Sequence, residues 1–229
     1  MTAKETLNQN GEPFPARPMT AQPTNAQKTV QQTNDGTHSD SANVPSSPKA
    51  DLRRSLLKAR QSLPQSVWRE KSDRLCAHLQ QWEVFQRSHT VLSYLSFRQE
   101  PDLSPLFMTP HRWGLPRCVG KSLSWHLWSP QYPLQQGSYG ILEPQESAPL
   151  IHPQEVDLIL IPAVACDVKG YRLGYGGGFY DRLLSSPAWR DKPTIGIVFE
   201  FARLPRLPID PWDRKLDGIC TEFGLFWLR

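Results

Sequence analysis

Residues Arg172 to Arg182 (RLGYGGGFYDR) place four glycines in five positions, flanked by an arginine and an aspartate, between a strand-like apolar run and a helix-like one. Gly174, Gly176, Gly177 and Gly178 lack the Cβ atoms that hold a backbone away from a ligand. They also accept the positive-φ conformations that turn successive N–H groups toward one anion. Arg172 offers phosphate oxygens a forked, charge-assisted pair of donors, and a carboxylate beside a phosphate, Asp181, is useful chiefly when a cation lies between them. The segment therefore reads as a nucleotide–metal site. It matches neither GxxxxGK[ST] nor the GxGxxG dinucleotide spacing. What is left is a different phosphate loop, with a helix N-terminus after Gly178 as its positive end. Glycines at a tight turn or a close helix–sheet approach are the structural alternative.

Other residues extend the site or belong to the scaffold. Asp181 falls in the first turn of the following helix, where capping alone would favour a carboxylate. Mg²⁺ takes one or two carboxylates beside phosphate oxygens and waters, and Asp213 in Pro208–Asp213 is a second ligand or a turn residue. Lys49 and Arg53 stand four apart on one helical face, joined by an anion or solvated separately. Glu100, just beyond a strand, suits the amine or amide edge of a ligand, or is an ordinary loop acid. No Ser–His–Asp or Cys–His arrangement stands out.

The elements that must position these residues follow from hydrophobic spacing. Leu52, Leu56, Leu57 and Ala59 predict a helix from Pro48, with Asp51 in its first turn, that ends at Ser62-Leu63-Pro64. A second helix is expected from about Gln65 to Trp82, and a short helical stretch over Leu103–Phe107. Strands are expected over Thr90–Phe97, Trp113–Val119, Ser122–Trp128, Val156–Val164, Thr194–Phe199 and Gly218–Thr221. Val156–Val164 lacks period-2 polarity, as a central parallel strand covered on both faces would, and its carboxyl end feeds the glycine loop. The predicted fold class is α/β: a three-layer α/β/α single domain with a mostly parallel central sheet, residues 48–229, preceded by a disordered polar tail, residues 1–47.

The chain has 229 residues and a formal net charge of +4 spread along it, so a nucleic-acid stripe is not indicated. Its four cysteines are dispersed, without CxxC or zinc-ligand spacing, and read as reduced structural thiols. No apolar run reaches about 18 residues, and the N-terminal segment shows no signal-peptide or transit-peptide pattern. A cytoplasmic, monomeric enzyme with no membrane or nucleic-acid partner is expected.

Lys49-Ala50-Asp51-Leu52-Arg53, Tyr94-Leu95-Ser96-Phe97 followed by Glu100, Gly140-Ile141-Leu142-Glu143-Pro144, and Arg172 to Asp181 after Asp157–Pro162 resemble, in this order, the 5-formyltetrahydrofolate cyclo-ligase (methenyltetrahydrofolate synthetase) family. The resemblance runs from Lys49 to the C-terminus and implies ATP and Mg²⁺ as cofactors. ATP would lie on Lys49, Ala50, Asp51, Leu52 and Arg53 and on Arg172, Leu173, Gly174, Tyr175, Gly176, Gly177, Gly178, Phe179 and Tyr180. Lys49, Arg53 and Arg172 would meet its phosphates. It implies Mg²⁺ on Asp181 and Asp213, 5-formyltetrahydrofolate, polyglutamylated or not, on Leu95, Glu100 and Tyr175–Phe179, and catalytic roles for Arg172 and Asp181. Ser104 stands where the family often has Thr. The implied chemistry is phosphorylation of the formyl oxygen, attack by N10 and loss of phosphate, which asks the protein to align and neutralise. An aromatic wall for the pterin is expected from Phe97, Trp125, Tyr139 or Phe179. A phosphate-sensing or folate-storing protein and a sugar-phosphate isomerase are the alternatives on related folds.

Overall fold

The computed structural model describes residues 47–228. Of the expected tail only Ser47 is among them, and it caps the first helix, accepting from Ala50 N at 3.3 Å. The rest of that expectation lies outside the described residues. The helices are α1 (Pro48–Gln61), α2 (Gln65–Gln81), α3 (Glu83–Arg87) and α4 (Phe179–Ser185). The strands are β1 (Thr90–Leu92), β2 (Arg112–Val119), β3 (Ser122–Trp128), β4 (Leu134–Gln136), β5 (Leu142–Pro144), β6 (Leu158–Pro162), β7 (Ala165–Asp167), β8 (Arg172–Leu173), β9 (Thr194–Ile197), β10 (Arg203–Leu204), β11 (Gly218–Thr221) and β12 (Gly224–Trp227).

Seven strands form the main sheet in the order β12-β11-β9-β6-β1-β2-β3. The pairs from β11 through β2 are parallel, and β12 and β3 add an antiparallel edge at either end. Alternation along β1 and β6 sends Leu92, Ile159 and Ile161 into a core with Leu52, Leu56 and Leu57 of α1 and Leu183 and Leu184 of α4. Val91, Leu158 and Leu160 enter the opposite core with Leu75, Cys76 and Leu79 of α2 and Phe85 of α3. Helices cover both faces, so the three-layer α/β/α architecture expected from the apolar run of β6 is what the chain forms. Among the described residues no helix is long and apolar enough to cross a membrane.

Several boundaries differ from expectation. The strand expected over Thr90–Phe97 pairs only through Leu92, with Ser93 N adding a bond to Gly114 O at 2.9 Å, because the chain then leaves the sheet to reach Glu100. The stretch expected as helix over Leu103–Phe107 is a 3₁₀ turn, Ser104–Met108, whose start is held by Asp102 accepting from Ser104 N and Oγ at 2.9 and 2.8 Å. Ser104 thus serves that turn. A three-stranded sheet, β10-β7-β8, lies beyond the carboxyl end of β6 and delivers Arg172. Asp167, 1% exposed, shapes it by accepting from Lys169 N, Tyr171 N and Leu207 N at 2.9, 3.0 and 3.1 Å.

Candidate active site

The glycine loop leaves β8 and enters α4 through Gly178, which is left-handed at φ 67°; Gly176, at φ 104°, is the other position that asks for glycine. Gly176 and Gly177 are exposed. No backbone N–H of residues 174–178 donates to another described residue, which leaves a row of donors for an anion. The helix behind it has seven residues and no side-chain cap, so the loop's own amides matter more than a long-helix dipole. Arg182 braces the loop from below, donating to Gly177 O at 2.7 Å and to Lys121 O at 2.6 Å.

The N-terminus of α1 meets this loop. Arg53 Nε donates to Gly174 O at 2.7 Å. Lys49 Nζ lies 2.6 Å from both Asp210 Oδ2 and Asp213 Oδ2; burial opposes its charge, but hydrogen bonds to the two carboxylates raise its pKa overall. The other residues of that motif do different work: Leu52 packs into the core, Ala50 N closes the cap, and Asp51 is exposed and pairs with Arg54 at 3.0 Å. Arg172, nearly buried, donates to Asp181 Oδ1 at 2.7 Å and to Arg214 O at 2.9 Å. Asp181 Oδ1 also accepts from Arg214 N at 3.4 Å, which ties α4 to the segment carrying Asp213.

Mg²⁺ fits this donor set. Asp181 Oδ2 and Asp213 Oδ1 accept from no described residue, leaving one hard oxygen on each carboxylate for a cation that completes its shell with waters and phosphate oxygens. Among the described residues no cluster of three or more acids, histidines or cysteines competes as a metal site.

Glu100 sits at the carboxyl end of β1 and is 3% exposed. Its Oε2 accepts from Phe97 N at 3.1 Å, and its Oε1 lies 3.9 Å from the Arg60 guanidinium. Burial pushes its pKa up to about 7, against the lowering effects of Arg60, the Phe97 amide and the Tyr175 phenol. Tyr175 leaves 40% of its surface exposed while its phenol accepts from Arg60. Its ring lies 6.3 Å from Phe97, whereas Leu95 is half-buried and packs against the core that holds Tyr94 and Leu103.

Trp125 is not an available wall: it is 1% exposed, packed in the core 6.4 Å from Trp189. Tyr139, 70% exposed, meets Phe179 edge-on at 6.1 Å across the glycine loop. Leu173 is core, and Tyr180 lies under Arg172 at 6.0 Å. All four cysteines are free, and burial raises their thiol pKa values, Cys118 to about 11 and Cys76 and Cys166 to about 12, so they are no nucleophiles at neutral pH.

Sequence reasoning missed Arg60, Asp210 and Arg214. Asp210 shares a turn with Asp213, and its signal was the paired acids in IDPWD. Arg60 carried no signal beyond a cation at a helix end.

A family model described as the 5-formyltetrahydrofolate cyclo-ligase family matches residues 45–222. The chain belongs to that family. It is 30% identical over 173 residues to the 5-formyltetrahydrofolate cyclo-ligase of Escherichia coli K12, covering 71% of this chain and 93% of that one. To the Mycolicibacterium smegmatis protein of the same name it is 31% identical over 193 residues, 79% of this chain and 97% of the other. The solved structure of Aquifex aeolicus 5,10-methenyltetrahydrofolate synthetase superposes with a TM-score of 0.71 at 34% identity, over 79% of this chain and 93% of that one. This cyclo-ligase is accordingly an enzyme of folate one-carbon chemistry, a ring-forming carbon–nitrogen ligase. The isomerase and storage-protein alternatives give way.

Proposed function

We propose that this cyclo-ligase binds ATP and Mg²⁺ across the α1 N-terminus and the glycine loop and converts 5-formyltetrahydrofolate to 5,10-methenyltetrahydrofolate with release of ADP and phosphate. The observation that carries the proposal is the convergence of Lys49, Arg53 and Arg172 with Asp181 and Asp213 around the donor-rich loop 174–178. Five residues from four places in the chain meet there, and each has a role in a metal–phosphate site.

ATP, when bound, supplies the phosphoryl group that makes the formyl oxygen a leaving group. Asp181 and Asp213 hold Mg²⁺ through their unbonded oxygens. Lys49, Arg53 and Arg172 neutralise the phosphates, and the loop amides line up the transferring group, since phosphoryl transfer depends mainly on alignment and charge compensation. Glu100, as a carboxylate, accepts from the amino–amide edge of the pterin, and Leu95 with Tyr175–Phe179 borders the folate. Phe179 and Tyr139 offer ring surface to it. The substrate is 5-formyltetrahydrofolate, polyglutamylated or not, and the enzyme works as a cytoplasmic monomer, residues 48–229 forming its catalytic domain and residues 1–47 a tail.

The test is a turnover assay: 5-formyltetrahydrofolate, ATP and Mg²⁺ together are expected to yield the near-ultraviolet absorbance of the methenyl product with one ADP per turnover. Binding of both ligands without ADP formation overturns the proposal.

A further inference from the structure

Arg60 lies in the last turn of α1, yet its side chain is 5% exposed and its guanidinium serves four residues in three segments. Nε donates to Arg98 O at 3.1 Å and one terminal nitrogen to Ala163 O at 3.3 Å, just past β6. The other terminal nitrogen donates to the Tyr175 phenol and stands 3.9 Å from Glu100. The segment it grips is strained. Arg98 and Gln99 have φ of 49° and 55°, and Glu100 N closes the turn on Phe97 O at 3.1 Å. Glycine or asparagine normally fills such a turn. Consecutive left-handed residues with side chains persist only where their surroundings over-determine them, and they gather at functional sites. Here the turn folds the Glu100 carboxylate back over the Phe97 amide, facing Arg60 and Tyr175.

We propose that Arg60 is a positioning residue for the cyclisation: it holds the strained turn that aims Glu100 at the folate, and it holds Tyr175, so that the folate end and the phosphate loop are fixed as one unit. This rests on Glu100 meeting the folate, as proposed above. The titratable groups facing Glu100 are Arg60 from α1, Tyr94 from the segment after β1, Tyr175 from the glycine loop and Tyr180 from α4. Burial raises the pKa of all three phenols, so they stay neutral, and Arg60 is the charge that favours the Glu100 carboxylate.

Wild type, Arg60→Lys, Tyr175→Phe and the double variant are compared by steady-state kinetics from about pH 5.5 to 9, with 5-formyltetrahydrofolate and ATP varied in turn. Arg60→Lys is expected to raise the KM for the folate about tenfold, the worth of one hydrogen bond to a charged group, with a smaller change for ATP. The acid limb of its kcat/KM profile for the folate moves to higher pH, because a single ammonium lacks the guanidinium fork that reaches Arg98 O, Ala163 O and Tyr175 while facing Glu100, and so favours the Glu100 carboxylate less. Tyr175→Phe moves the same limb the same way, and the double variant loses less than the product of the two single effects. An equal loss at every pH with both KM values unchanged overturns the proposal, as do independent effects. Should Arg60→Lys fail to fold, the Tyr175→Phe profile decides alone, and an unmoved acid limb overturns it. A wild-type protein that makes no methenyl product refutes the proposed function instead, so the two failures are told apart by the first curve measured.

Discussion

At the proposed metal–phosphate end Lys49 pairs with Asp210 and Asp213 while keeping 20% of its side chain exposed, against 40% and 10% for the two acids, whereas Arg60 and Glu100 at the proposed folate end keep 5% and 4%. Both ends set cations against carboxylates. Solvation separates their uses. Partly exposed pairs are worth little net energy, so a cation or a phosphate can take over a partner at small cost. A buried pair has surrendered its hydration, and losing one member leaves an uncompensated charge, so it serves as a fixture. The molecule exchanges partners where water reaches and holds geometry where it does not.

Substitutions at the two ends sharpen that contrast. The largest expected effect is Asp181→Asn, which takes a charge from the proposed metal site and is expected to lower turnover by about 100-fold or more with the fold intact by circular dichroism, since the amide oxygen still accepts from Arg172. Full activity would reduce Asp181 to a helix cap. Arg172→Ala comes next, expected to weaken ATP use by about 1.5 to 3 kcal/mol in kcat/KM, as for a hydrogen bond to a charged group; unaltered kinetics would remove it from the phosphates. Lys49→Gln is expected to raise the KM for ATP about fivefold, modest because the site is partly solvated. It should also tighten Mn²⁺ binding in the absence of nucleotide, read by electron paramagnetic resonance, since Asp213 loses a competing cation. Unaltered Mn²⁺ affinity would break the exchange picture.

A separate effect is on stability against pH. Glu100 titrates near 4.5 when unfolded and at about 7 when folded, so between these values the folded protein holds a proton that the unfolded chain has lost. Stability therefore falls as pH rises through that window and is flat above it. Glu100→Gln is expected to remove this slope from melting temperatures measured between the two values; a persisting slope would assign it to another group.

The proposed metal–phosphate end, Asp210 and Arg214 apart, is the part that shows in the sequence. Glycines, Arg172 and Asp181 are adjacent, and Lys49 and Arg53 share a helical face. Each demand there is met by residue type, and type is what a sequence displays. The folate-end fixture hides because it depends on burial: Arg60 looks like any helix-terminal cation until Ala163, Arg98 and Tyr175 surround it. The Arg98–Gln99 turn runs against local preference, so no propensity argument could find it. β7, β8 and β10, of two or three residues each, are too short for periodicity, and Asp167, which shapes them, reads as an ordinary turn acid. The apolar runs of β6 and β9 and the helical spacing of α1 and α2 were enough for the three layers, because those elements bury whole faces.

The clasp on Lys49 joins residues 161 and 164 positions apart in the chain. Closing so long a loop is entropically expensive and is repaid only after the sheet between is in place. Nucleotide affinity at the proposed site is thus a gauge of completed folding: on a ribosome, a nascent chain has its glycine loop before it has Asp210 and Asp213. Ligand added during synthesis would rescue only molecules whose last strands are already made.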